Sequence, residues 1–248
     1  MILVIDIGNT LVKIGLFKND KIIEVFKVKS KLDRTSDEYA KVFKDLCLKE
    51  KCEGAIIASV VPLLTLEIQE AILKATGIKA LILSDKLETN LPIKIDNPQE
   101  LGADFICDAI GAMKKYKYPL VVADLGTASK MFVIDKSGSF IGGMISSGMR
   151  INLEALVSKT AQLMDVPIET PSKIVASNTK ECIQSGIIYG QAYMISEFAR
   201  RMEKELGYEL ERVLTGGFSG VIKDEVVCFH YEPTLSLEGL YEIYKMNK

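Results

Sequence analysis

The chain has 248 residues, a net charge of −2, and 48% hydrophobic and 26% charged residues, which suits one large or two small globular domains with a real core. No segment has the basic density that a phosphate backbone demands, so nucleic acid is not an expected partner. The longest apolar run, residues 54–66, contains Pro62, and Asp6 interrupts the first apolar run; neither reads as a membrane span or signal peptide, so a soluble, cytoplasmic protein is expected.

Residues 2–7, 11–17 and 21–28 read as three antiparallel strands joined by turns at 8–10 and 18–21. Ser36 is the expected cap of a helix whose apolar face carries Tyr39, Val42, Phe43 and Leu46. Strand 54–59, helix 63–76 stopped by Gly77, and strand 79–84 follow. A helix begins near Ala103 or Asp104. The order then repeats: strands 119–124, 128–135 and 139–145, a helical region at 150–164, and a long helix 179–206 ending at Gly207. Strand 211–215, helix 218–225, strand 226–231 and a last helix 236–245 close the chain. One fold duplicated, as domains 1–117 and 118–248 with a cleft between, is the simplest account.

The repeat is visible in the residues. At an offset of 118, Val4 falls on Val122, Asp6 on Asp124, Gly8 on Gly126 and Lys18 on Lys136. Each copy is a strand ending in Asp, then a tight glycine-containing turn into the next strand. Such a turn offers backbone N–H groups and a carboxylate at one sheet edge, and glycine lets the backbone approach a phosphate. Two such turns can hold a polyphosphate, and the two aspartates its Mg²⁺, which takes hard oxygen ligands. A single copy would read as a plain hairpin turn with a solubilising aspartate; two matched copies argue against that.

Other segments add to this. LTGGFSG, residues 214–220, is a strand running through Gly216 and Gly217 into a helix, a place for an adenosine. Asp104 follows Gly102 at a helix start, where the dipole favours its charged form; Asp108, one turn on, is expected to be solvated. Gly142 and Gly143 open a glycine-rich turn that can face phosphate, and Arg150 either reaches an anion or caps charge. Gly186, Gly190, Ala192 and Ile195 mark the long helix for tight packing, within the chain or in a dimer. Five cysteines without a C-x-x-C pair read as reduced thiols, and the single His230 as structural, leaving acid–base chemistry to Asp or Glu.

Taken together, DIGNT (6–10), ASVVP (58–62), DNPQELGAD (96–104), DLGTA (124–128), GGMISSGMRINLEAL (142–156), SNTKECIQSGIIYG (177–190), TGGF (215–218) and LSLEGLYEIY (235–244) resemble the type III pantothenate kinases, over nearly the whole chain. The resemblance implies a duplicated ribonuclease H-like, actin-like ATPase fold and ATP-dependent phosphorylation of pantothenate, the first step toward coenzyme A. It implies that Asp6, Ile7, Gly8, Asn9, Thr10, Leu11, Val12 and Lys13 line the ATP phosphates, that Thr127 touches ATP, and that Asp104 takes the proton from the pantothenate hydroxyl. Gly102, Ala103, Asp104, Phe105 and Thr179 would contact pantothenate. Asp124 would bind K⁺ or ammonium, and the protein would be a homodimer.

The chain departs from the family pattern at four positions. Phe105 stands where an Arg usually follows the base, Ile95 where Tyr is frequent, Lys130 where Thr is usual, and Ser147 where Pro is usual. These departures keep two alternatives open: a non-catalytic nucleotide-binding relative, and a kinase of another small hydroxyl substrate. Lys130 also raises the prospect that its ammonium stands in for the ion at Asp124.

Overall fold

Five of the six residues of β1 (Ile2–Ile7) are buried, and the sixth, Asp6, is half-buried. Successive side chains of a strand face opposite sides, so Leu3, Ile5 and Ile7 point into one core while Asp6 shares its face with Ile2 and Val4. The computed structural model describes residues 1–47 and 51–248. It divides into two units: Met1–Leu91, Asp96–Lys115 and Leu235–Lys248 form the first, and Pro92–Ile95 with Tyr116–Thr234 the second.

In the first unit β1 pairs antiparallel with β2 (Leu11–Lys18), β2 with β3 (Lys21–Lys29), and β1 parallel with β4 (Gly54–Ser59), which carries the short β5 (Leu81–Ile82). The order is β3-β2-β1-β4-β5. Helices α1 (Ser36–Leu46) and α2 (Pro62–Thr76) cover the Leu3–Ile5–Ile7 face, with Tyr39, Phe43, Leu64, Ile68 and Ile72 in that core. The cap of α1 is Thr35 and not the expected Ser36: Thr35 and Glu38 make a reciprocal capping box, and Ser36 is the first helical residue. Gly77 ends α2 at φ 74°, as expected. β5 is shorter than expected because only Leu81 and Ile82 find ladder partners on β4.

Helices α3 (Ala103–Lys115) and α7 (Leu235–Met246) complete this unit. Their backbones nearly touch: a Cβ on Gly239 would lie 1.8 Å from the Cys107 carbonyl oxygen, and one on Gly111 2.5 Å from that of Leu235. The expected division at 117/118 thus falls close to the passage between units at 115/116, but α7 belongs to the first unit and residues 92–95 to the second. Helical periodicity identified α7 correctly; it carries no information about which sheet the helix joins.

The second unit repeats the plan. β6 (Leu120–Leu125), β7 (Ala128–Ile134), β8 (Phe140–Ser147), β9 (Glu211–Thr215) and β10 (His230–Tyr231) lie in the order β10-β9-β6-β7-β8. This is the first unit's order with β6 in the place of β1. α4 (Met149–Ser158) and α5 (Thr179–Leu206) pack with α6 (Ser219–Ile222) around a core of Val121, Ala123, Leu125, Ile188, Ala192, Ile195 and Leu214. α4 stops at Ser158 rather than 164, where the sequence turns polar through Lys159 and Thr160. α5 has its expected ends, capped by the Asn178 side chain and by Gly207. None of the five cysteines is in a disulfide, and Cys52 and Cys107 are buried.

Candidate functional site

The two aspartate turns are built alike, with one difference in length. In the first unit Gly8 N–H donates to the Leu11 carbonyl (3.0 Å); in the second Gly126 N–H donates to that of Ala128 (3.0 Å). The first turn is one residue longer. The registers show the consequence: Asp6 sits opposite Lys13 and Asp124 opposite Lys130. The fixed offset of 118 therefore holds before the turn and becomes 117 after it. The match of Lys18 with Lys136 is a coincidence of that offset, and the structural counterpart of Lys13 is Lys130.

In the first unit Lys13 Nζ lies 3.5 Å from Asp6 Oδ2, and Ser236 Oγ at the start of α7 donates to the same oxygen at 3.0 Å. Ser30 Oγ donates to the Gly8 carbonyl (2.7 Å) and Ser30 N–H to that of Thr10 (3.0 Å), bracing the turn from β3. Asn9 and Thr10 are exposed at its tip. Gly8 does not have a positive φ, and a Cβ there would meet only the Leu11 oxygen at 3.3 Å.

In the second unit Lys130 Nζ lies 2.8 Å from Asp124 Oδ2, with side chains only 8% and 15% exposed. For a pair so shielded, removing one partner costs about 3–5 kcal/mol because the other charge is left uncompensated. Gly216, at φ 101°, comes so close that a Cβ would lie 2.4 Å from Asp124 Oδ1 and 2.3 Å from Leu125 N. Gly148, the N-cap of α4, presses equally on the Gly126–Thr127 turn: its Cβ would be 2.3 Å from the Thr127 oxygen, to which its own N–H donates at 3.1 Å. Fold packing thus demands glycine at 216 and 148. It makes no such demand at 126, where the nearest atom to a Cβ is 3.6 Å away, or at Gly217, where nothing lies within 4 Å.

Asp104 lies in the first turn of α3, and its Oδ1 accepts the Phe105 N–H at 3.0 Å. A Cβ on Gly102 would approach that oxygen to 2.6 Å, so the glycine makes room for the carboxylate. Ala103 and Phe105 flank it, half-buried. α3 packs on α7, and α7 on β1, so one helix supports both the Asp104 element and the Asp6 strand. Thr179 is exposed in the first turn of α5 and lines a groove with Leu156, Leu163, Cys182 and Gly186.

Two readings change, and two that were open are narrowed. Asp108 is not solvated but 2% exposed on the packed face of α3. Gly142 and Gly143 lie within β8, not in a turn; Gly143 allows β8 to pass Met131, whose oxygen a Cβ would meet at 1.9 Å. The turn before α4 is at Gly148 instead. Arg150 pairs in a fork with Asp165 (2.8 and 3.0 Å) and with Glu154, and it holds the Asp165 carboxyl below its ordinary pKa. On α5, Ala192 and Ile195 are core residues while Gly186 and Gly190 are exposed, so the small residues serve two faces. Sequence reading missed Ser236 and Gly148; their roles show only once the fold brings them to the two turns.

A family model described as type III pantothenate kinase matches residues 2–201. A protein of that description from Moorella thermoacetica is 36% identical over 254 aligned positions, covering 100% of both chains. One from Bacillus cytotoxicus is 35% identical, covering 100% of this chain and 97% of its own. A solved Campylobacter jejuni structure, provisionally described as a Baf family transcriptional activator, superposes with a TM-score of 0.62 at 18% identity, covering 98% and 97% of the two chains. Component A of the Acidaminococcus fermentans (R)-2-hydroxyglutaryl-CoA dehydratase gives 0.55 at 15% identity, covering 99% and 98%. At these identities the two structures speak for the fold alone, an α/β actin-like fold with two five-stranded sheets.

Proposed function

We infer the function from one premise: the chain belongs to the type III pantothenate kinase family, whose model spans most of its length and whose named members match it end to end. It is an ATP-dependent kinase that phosphorylates pantothenate, the first step of coenzyme A synthesis. The observation that carries this to residues is the behaviour of the turn glycines. Gly126 and Gly217 stand where the fold has room for a side chain, and Gly8 where it nearly has. A close-approaching ligand accounts for them where packing does not.

On this reading the Asp6–Lys13 turn lines the β- and γ-phosphates, with the backbone at its exposed Asn9–Thr10 tip and the Lys13 ammonium facing them. In the second unit Gly126 and Thr127 form the other proposed phosphate-facing turn, and Gly216 and Gly217 the proposed adenosine-facing backbone. Among the described residues no cluster of three or more His, Cys, Asp or Glu side chains could cage a metal. A single carboxylate, Asp6, fits Mg²⁺ that arrives with the nucleotide and keeps phosphate oxygens and waters as its other ligands. When bound, Mg²⁺ neutralises charge on the β- and γ-oxygens.

Asp104 accepts the proton of the acceptor hydroxyl as its oxygen bonds to the γ-phosphorus and the bond to the ADP oxygen breaks. Gly102, Ala103 and Phe105, beside Asp104, are proposed to contact pantothenate, and Thr179 is the pantothenate contact proposed on α5. The exposed Gly186–Gly190 stripe beside Thr179 is the proposed homodimer face, which sedimentation at several concentrations checks. No helix among the described residues is long and apolar enough to cross a membrane.

The test is ADP release from Mg²⁺-ATP with and without pantothenate, for the wild type and Asp104→Asn. Pantothenate-dependent release is expected, falling on the order of 10²–10⁴-fold in the variant with nucleotide binding kept. Release driven by a different hydroxyl compound would move the acceptor. No release with ATP still bound would point to the non-catalytic relative.

A further inference from the structure

Family resemblance assigns a potassium or ammonium ion to Asp124, and the residues around Asp124 do not fit one. Directly opposed residues of antiparallel strands share a face with Cβ atoms about 4.5–5.5 Å apart. Asp124 and Lys130 are such a pair, so the lysine stem delivers its ammonium to the carboxylate, 2.8 Å from Oδ2. The other oxygen, Oδ1, lies under the Gly216 backbone. Both carboxylate oxygens are therefore covered by the protein itself. An added monovalent cation would put a second positive charge beside a single carboxylate, and among the described residues no larger acidic cluster is present to offset it.

The counterpart pair shows that this closeness is specific to the second unit. Lys13 stands at the same register position, yet its Nζ is 3.5 Å from Asp6 and its side chain 22% exposed, against 8% for Lys130. Lys130 is committed to its carboxylate. It also lies beside the Gly126–Thr127 turn that Gly148 braces, so its charge acts where the nucleotide phosphates are proposed to bind.

We propose that the Lys130 ammonium replaces the monovalent cation at Asp124, so that this kinase works without added potassium or ammonium. A tethered ammonium occupies its site at an effective concentration set by the chain and not by the buffer. Lys130 is a positioning residue here: it holds the Asp124 carboxylate and the adjoining turn, and it touches neither transferred atoms nor acceptor. The catalytic consequence rests on the kinase reading above; occupancy of the site does not.

The experiment compares the wild type with Lys130→Thr and Lys130→Met in potassium, ammonium, sodium and choline chloride at equal ionic strength. It reads pantothenate-dependent ADP release and, separately, the melting temperature without ligands. The wild type is expected to show the same rate and melting temperature in all the salts. Lys130→Thr should lose on the order of tenfold or more of its rate in sodium or choline, the scale of one charged hydrogen bond, and recover it in potassium or ammonium. Its melting temperature should rise with the same two ions. A wild-type rate or melting temperature that climbs with potassium over sodium overturns the proposal, as does a folded Lys130→Thr indifferent to the ions. If the variants do not fold, the wild-type series decides. If nothing turns over in any salt, the kinase reading falls while the melting series still reports on the site.

Discussion

The Asp6–Lys13 and Asp124–Lys130 pairs occupy the same place in two copies of one fold, and they differ in how tightly they are closed. The first is a looser contact whose carboxylate is shared with Ser236. The second is a short, shielded pair wedged against Gly216. Duplication fixes register, and register fixes which residue types meet. The surroundings then decide whether a lysine is held by its carboxylate or remains able to turn to a ligand. On the proposed reading the first copy engages a phosphate, while the second closes on its own carboxylate.

The sharpest way to break this comparison is Lys13→Met. A charge-assisted contact to phosphate contributes about 1.5–3 kcal/mol, so kcat/KM for ATP should fall by roughly one to two orders of magnitude. Stability should move little, because a partly exposed ion pair contributes about 0–1 kcal/mol. Steady-state kinetics alongside urea unfolding checks both halves. A large stability loss with ATP kinetics intact would mean that Lys13, like Lys130, is committed to its aspartate.

The glycines sharpen it next. Gly216→Ala forces a Cβ onto Asp124 Oδ1 at a positive φ, and strain of that kind costs on the order of 1–3 kcal/mol. Gly126→Ala meets nothing closer than 3.6 Å, so its melting temperature should match the wild type. Its KM for ATP should nevertheless rise, on the order of tenfold for one lost charged contact. Thermal melts and ATP titrations of both variants check this. Equal destabilisation by the two would remove the argument that Gly126 is there for a ligand.

Much of this architecture can be read from the residues, and the exceptions share a cause. Strands β1 to β3 and helix α5 follow from alternation, turn residues and caps, all local signals. The duplication follows from Asp6–Gly8 and Asp124–Gly126. What stayed hidden is what depends on distant partners. A one-residue change in turn length altered the true counterpart of Lys13, which a fixed offset cannot reveal. The docking of α7 on the first unit depends on Gly111 and Gly239 meeting, which no periodicity encodes. Asp108 lies within the buried run Cys107–Ala112 of α3, so a polar residue that reads as solvated is buried once the helix packs.

Ser236→Ala carries the smallest expected effect and tests that docking at the site. The hydroxyl ties the start of α7 to Asp6 Oδ2 at 3.0 Å, and a neutral donor of this kind contributes about 0.5–1.5 kcal/mol net. The urea midpoint should drop with the m-value unchanged, since the surface exposed on unfolding is the same. Without Ser236, Asp6 keeps Lys13 beside it at 3.5 Å, and the two should draw together toward the geometry of Asp124 and Lys130. The first copy would then resemble the second, and KM for ATP should rise modestly as Lys13 becomes harder to recruit. A lower midpoint with ATP kinetics unchanged would make Ser236 a fastening of α7 alone. A KM shift without a change in midpoint would mean that the hydroxyl keeps the lysine available and adds nothing to the fold.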